Sequence, residues 1–150
     1  LNRLDQELVE KIQKDINENK ILEELYDEYM IQELLQFNEN NLSDKIKDNP
    51  FISEQFRLLY LKEAQILKRV EIIYETELGK KYDHYKYECE KNLTKTEIEK
   101  YYLPKEESII KLSKLVSKQQ LRTDFFESVW KALDKQGWML KIYQQELKGM

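Results

Sequence analysis

Few side chains in this sequence are of a kind that does chemistry. The single histidine, His84, stands five residues before the single cysteine, Cys89. An imidazole and a thiol can form a nucleophilic pair, but that chemistry also needs an orienting group and an oxyanion hole, and the flanking residues suggest neither. A zinc site takes about four ligands from a limited set, and His84 has only Cys89 as a possible co-ligand nearby. Phosphate-binding loops rely on clustered glycines, and Gly79 stands alone. The acidic pairs Glu23-Glu24 and Glu106-Glu107 are adjacent on helical stretches, so their carboxylates do not converge. No catalytic constellation is expected, nor any metal or cofactor. His84 reads as a surface loop residue.

Binding chemistry is better represented. Lys80-Lys81-Tyr82-Asp83-His84-Tyr85-Lys86-Tyr87 interleaves cations with aromatic rings. Single-stranded nucleic acid is held by such a mixture, with cations on phosphates and rings stacked on bases. Upstream, Lys62 and Arg69 are seven residues apart on one helical edge with Gln55 and Thr76. That neutral-to-basic edge leads toward Lys80-Lys81.

Composition limits the partners. The chain has 150 residues and a formal net charge of −4. Residues 1–50 carry 6 basic and 13 acidic side chains, residues 51–100 carry 10 of each, and residues 101–150 carry 9 and 6. The first third therefore repels polyanions and the remainder does not. One cysteine excludes an internal disulfide framework and fits a reducing compartment. No apolar run approaches the ~20 residues of a membrane span. The opening residues, Leu1-Asn2-Arg3-Leu4-Asp5-Gln6, read as an amphipathic helix, not as a signal peptide.

The elements that must position these groups are helical. Three glycines and two prolines leave little for sheet turns, and charged residues at 36% fit an all-α fold. The expected architecture is an elongated bundle of about five to six helices, two of them long, with C-terminal helices for oligomerisation. The organising element is a helix from Phe51 to Leu78, opened by Asp48-Asn49-Pro50 and closed by Gly79. Ile52, Phe56, Leu59, Ile66, Val70 and Ile73 line one of its faces. Leu58, Leu61, Gln65 and Ile72 line another, so it should lie between other helices.

Leu1, Leu4, Leu8, Ile12 and Ile16 mark a first helix, with a break at Asn17-Glu18-Asn19. A second carries Ile21, Leu22, Leu25, Tyr29, Met30, Leu34, Leu35 and Phe37. The asparagine-rich stretch 38–50 reads as a loop. Tyr85 and Tyr87 alternate as in a short strand. Thr94-Lys95-Thr96-Glu97 is a capping box for a short helix that stops before Pro104.

Pro104-Lys105-Glu106-Glu107 reads as the first turn of a second long helix, lined by Ile109, Leu112, Val116, Phe126, Trp130 and Leu133 and ended by Gly137. Gln119 and Thr123 interrupt its stripe, where it leaves one partner for another. Residues 1–80 and 81–150 form the expected division of the chain, with a single domain as the alternative.

At this point the chain resembles the UvsY recombination mediators of T4-like phages. Glu63-Ala64-Gln65, with Tyr74 near the helix end and Gly79 fourteen residues after Gln65, carries part of the likeness. Lys95-Thr96-Glu97-Ile98, Glu107 with Ile109-Ile110-Lys111, and Asp124-Phe125 carry more. The tail Leu133-Asp134-Lys135-Gln136-Gly137-Trp138-Met139-Leu140-Lys141 resembles the family's Ile-x-x-x-Gly-aromatic-x-aliphatic-Lys element, and Leu4, Glu7, Leu8 and Asp15 fit the start. The likeness runs in order from Leu4 to about Leu147, with an insertion near Asn38–Asp48.

The resemblance implies a helical, ring-forming homo-oligomer without nucleotide hydrolysis of its own. It would bind single-stranded DNA and load a RecA-like recombinase onto strands coated by a single-stranded-DNA-binding protein, in the cytoplasm of the infected bacterial host. The family builds its ring chiefly from C-terminal helices, which map here onto Phe126, Trp130, Leu133, Trp138, Leu140 and Tyr143.

One departure is clear. The two basic residues that the family places late in its central helix fall on Glu71 and Ile73 in gapless alignment, and neither pairs with phosphate. The substitutes are read from this sequence itself: Lys62, Lys68, Arg69, Lys80, Lys81, Tyr82 and Lys86. The alternative is a helical interaction adaptor that never touches DNA, which accounts directly for the acidic first third.

Overall fold

The computed structural model describes residues 3–18 and 22–149. Among them there is no strand, and the order is α1 (Arg3–Glu18), α2 (Leu22–Glu28), α3 (Ile31–Leu35), α4 (Leu42–Asp83), α5 (Lys95–Glu97) and α6 (Glu107–Lys148). Two π-helical turns, His84–Glu88 and Ile98–Tyr102, and one 3-10 turn, Leu103–Lys105, lie between α4 and α6. The all-α expectation holds, with two long helices of 42 residues each. Of the break expected at Asn17-Glu18-Asn19, Asn17 and Glu18 are the last turn of α1, while Asn19 and the side chains of Leu1, Ile16, Ile21 and Leu22 lie outside the described residues.

The chain forms two compact units. The first comprises Leu1–Glu18 and Gln65–Gln120, the second Asn19–Ala64 and Leu121–Met150. Both α4 and α6 contribute to each, and residue 80, the expected division, falls inside α4. On α6 the change of unit comes between Gln119 and Thr123, where the apolar stripe is interrupted.

The first unit has two cores. Val9 and Ile12 of α1, Val70 and Ile73 of α4, and Leu112 and Leu115 of α6 are buried together. Three- and four-residue spacings put these groups on one face of each helix, and each buried aliphatic contributes roughly 1.5–3 kcal/mol. Beyond it, Leu93, Ile98 and Leu103 are buried against Leu78, Tyr82, Tyr85 and Tyr102.

That second cluster explains two corrections. Gly79 does not end the central helix, because Leu78 and Tyr82 carry it onward to Asp83 to pack there, and Gly79 keeps a helical φ. Tyr85 and Tyr87 are not a strand. They lie in a π-helical turn closed by Cys89 N–H donating to the His84 carbonyl at 3.0 Å, and Tyr85 packs 5.1 Å from Tyr102. The capping box forms as expected, with Glu97 N–H donating to Thr94 Oγ1 at 3.2 Å. The helical turns then continue through Pro104, and α6 begins at Glu107.

The second unit is built around rings. Ile31, Phe56, Phe126, Val129 and Leu133 are its buried centre. Tyr29 meets Phe56 and Phe126 edge-on at 5.6 and 5.4 Å, and Tyr60 stacks on Trp130 at 5.7 Å. The expected second helix is two short ones, divided at Met30, whose left-handed φ of 51° turns the chain.

The 38–50 loop is shorter than expected. Asn38 Oδ1 accepts from the N–H of Asn40 and of Asn41 at 2.9 and 3.1 Å, and α4 starts directly after, at Leu42. Pro50 therefore lies inside a helix, where proline normally costs about 3 kcal/mol. Contacts of the turns just before it hold that segment in place. Asn49 Nδ2 donates to the Leu133 carbonyl at 3.0 Å and to Gln136 Oε1 at 3.2 Å. Lys45 Nζ donates to the Glu33 and Leu34 carbonyls at 2.6 and 3.2 Å, capping α3.

Gly137 does not end α6 either. A Cβ there would meet Asn49 Oδ1 at 2.8 Å, so the glycine is an approach site for Asn49.

Candidate nucleic-acid interface

In the first unit, α4 turns one face to solvent: Gln65, Lys68, Arg69, Ile72, Glu75, Thr76, Gly79, Lys80 and Asp83 are all exposed. Their three- and four-residue spacing follows from the opposite face being fixed by Ile66, Val70 and Ile73 in the core. Lys68, Arg69 and Lys80 have no ion pair among the described residues, but they share this face with Glu75 and Asp83. Lys62 is exposed as well, and it belongs to the second unit.

The other three candidates are committed to local structure. Lys81 Nζ pairs with Glu106 Oε2 at 3.6 Å. Lys86 Nζ donates to the Leu93 carbonyl at 3.3 Å. Tyr82 is half-buried in the cluster with Leu93 and Ile98. Nearby, the Tyr85 hydroxyl donates to Glu106 Oε1. That hydrogen bond, then burial and the Glu106 charge, pushes the phenol up to about 12. The basic-aromatic run thus serves largely to hold residues 84–106 against α4. Ile73, at one of the two positions aligned above with basic residues, is a core residue, 4% exposed.

Sequence reasoning overlooked a second basic surface. From Ser108 to Thr123 the chain has Lys111, Lys114, Lys118 and Arg122 and no carboxylate. Arg122 is occupied: its Nε donates to Glu63 Oε1 at 3.1 Å, and its guanidinium lies 5.7 Å from the Phe126 ring centre. The three lysines are exposed and have no ion pair among the described residues. Their i, i+3, i+7 spacing, one helical face, was the available signal.

Beside Lys114 opens a groove of about 740 Å³, walled by Tyr74 and Tyr82 and by Leu78 and Leu103. Gly79 lies on its edge, and Asp83 and Glu99 also line it.

His84 is exposed, with Nδ1 3.0 Å from Glu88 Oε2. Among the described residues no group of three His, Cys, Asp or Glu side chains is placed to hold a metal ion. No helix among them is long and apolar enough to cross a membrane.

The residues assigned to self-association divide sharply. Phe126 is 0% exposed, and Leu133 and Leu140 are 1% exposed. All three are enclosed within the chain and present no surface to another copy. Trp130 is half-buried on Tyr60, and Tyr143 meets Phe37 edge-on at 5.8 Å. Trp138 is 66% exposed, with Lys141 Nζ 5.3 Å from its ring centre, and Met139 and Ile142 are exposed beside it.

Compared with solved structures, the chain is similar to the bacteriophage T4 recombination mediator protein UvsY. The TM-score is 0.70 at 15% identity, over 86% of this chain and 98% of that one. The chain has the UvsY fold. No protein-family profile and no curated protein matches the sequence. The likeness to UvsY therefore lies in how the helices are laid down, while most side chains differ.

Proposed function

We propose that the chain is a recombination mediator. It acts as a ring-shaped homo-oligomer that binds single-stranded DNA and loads a RecA-like recombinase onto strands coated by a single-stranded-DNA-binding protein, in the cytoplasm of the infected host. The observation that carries this reading is the fold shared with a recombination mediator over 98% of that protein's length. The free cations of the first unit, Lys68, Arg69 and Lys80 among them, supply phosphate contacts. The exposed Trp138, with Met139 and Ile142, supplies an apolar surface for a second copy, since clustered exposed apolar groups mark interfaces. Repetition around a ring lifts weak contacts per protomer by roughly two orders of magnitude or more.

The test is fluorescence anisotropy of a labelled oligo-dT strand at about 50 and about 300 mM salt. Tight binding at low salt that weakens at high salt supports the mediator, with recombinase loading as the next assay. Absence of binding at low salt overturns it and favours an adaptor working through protein contacts, a reading that the acidic charge of the second unit suits. For assembly, Trp138→Ala should lower the oligomeric mass in light scattering. An unchanged mass removes this surface from the interface.

A further inference from the structure

We infer that Lys111, Lys114 and Lys118 of α6 form the phosphate track of the first unit, and that the groove beside Lys114 seats a base. The inference rests on the proposed binding of single-stranded DNA and assigns it a path. At 1.5 Å rise per residue the lysines follow each other by about 4.5 and 6 Å. A single strand carries one phosphate per nucleotide, and three long, flexible side chains on one face can each reach one. Along α6 itself no carboxylate competes: between Ser108 and Thr123 there is none, and Ser113 and Ser117, exposed beside the lysines, are neutral donors, while Asp83 and Glu99 come near only at Lys114, through the groove. On α4, Glu75 and Asp83 share the solvent face with Lys68, Arg69 and Lys80 and offset their attraction for phosphate.

The groove has the complementary character. Its walls include the rings of Tyr74 and Tyr82 together with leucines, which suits a planar base. Asp83 and Glu99 on its lining repel phosphate and accept hydrogen bonds from the N–H groups of a base. Lys114 belongs to both surfaces, since it lies on the α6 stripe and lines the groove. A strand running along α6 therefore has its backbone on the lysines and a base turned into the groove. Gly79 keeps the groove's edge open, because beyond its chain neighbours and its own helix backbone no atom lies within 4 Å of where its Cβ would be.

The experiment uses the full chain and the same labelled oligo-dT. K111Q/K114Q/K118Q changes exposed groups only, and circular dichroism should report an unchanged fold. Its affinity at low salt should fall at least tenfold, and its log–log salt slope should flatten by about 2, at about 0.7 per lost phosphate contact. K68Q/R69Q/K80Q should flatten the slope less. Gly79→Leu fills open space on a helix and should weaken binding roughly tenfold with the slope unchanged, because stacking is lost and no phosphate contact is.

If the wild type binds and the α6 triple variant matches it in affinity and slope, the track is overturned and the mediator reading stands. If Gly79→Leu binds as the wild type does, the groove is overturned. If the wild type fails to bind at low salt, both the path and the reading fall.

Discussion

The two units use the same pair of long helices to opposite ends. The first carries 15 basic and 15 acidic side chains, the second 10 and 14, so the entire net charge of −4 belongs to the second. The main core of the first is aliphatic, from Val9 and Val70 to Leu115, and its surface holds free lysines. The core of the second is aromatic, around Phe56 and Phe126, and its surface holds Trp138 and other exposed apolar groups. The difference teaches that a helix can change role along its length without a break in its backbone. In α6 the stretch with Lys111 to Lys118 and the stretch with Trp138 to Ile142 belong to one continuous helix.

The largest expected effect strikes the aromatic side of that contrast. Phe126→Ala removes a fully buried ring touching Tyr29 and Phe56 and should cost about 3–5 kcal/mol in denaturant unfolding. Ile73→Val in the aliphatic core should cost only about 0.5–1.5 kcal/mol. Equal losses would erase the distinction between the cores.

Next comes the ion pair of the second unit. Arg122→Ala leaves the Glu63 carboxylate, 6% exposed, without that partner, and should cost about 3 kcal/mol. If stability is unchanged, Arg122 is not a structural cation, and it would join the lysines as a free charge.

The two helical glycines sharpen the comparison further. Gly137→Ala in the second unit drives a Cβ against Asn49 and should lose roughly 1 kcal/mol even after the gain in helix propensity. Gly79→Ala in the first unit meets nothing and should gain about 0.5–1 kcal/mol. Thermal melts that shift in the same direction for both would contradict the packing described.

The smallest effect is alkaline and concerns Tyr85 of the first unit. The phenol of Tyr85, raised from 10.0 to about 12, keeps its proton in the folded chain above the pH at which an unfolded one loses it. Its contribution is complete below pH 10 and is lost as the pH rises through 12. Tyrosinate absorbance should show one of the ten tyrosines ionising last, and Tyr85→Phe should abolish that step.

Helical periodicity was legible in the sequence because burial repeats with the helix. Ile66, Val70, Ile73, Leu112, Phe126 and Leu133 were assigned to helix faces from spacing alone and lie in, or packed against, the cores. The Thr94–Glu97 box was legible because capping is local. Helix ends at Pro50, Gly79 and Gly137 were misread because the forces that carry the helices through them come from distant residues, Asn49 with Leu133 and Gln136, and Leu78 with Leu93 and Ile98.

The candidate site was half legible. Lys68, Arg69 and Lys80 are exposed as expected, but no pattern in the sequence says that Lys86 will donate a hydrogen bond to the Leu93 carbonyl or that Tyr82 will turn into a core. Lys111, Lys114 and Lys118 were legible by spacing. No aromatic residue is interleaved with them, so they lack the mark that sets off the run of lysines and tyrosines.

The fit between Asn49 and Gly137 has a consequence for descent. A methyl group at position 137 would push the Asn49 amide aside and disturb its hydrogen bonds to Leu133 and Gln136, so a change at one site is felt at the other. Relatives of this chain should keep both residues or have exchanged both. The pair is thus a heritable marker of this helix crossing, readable where overall identity has decayed too far to be informative.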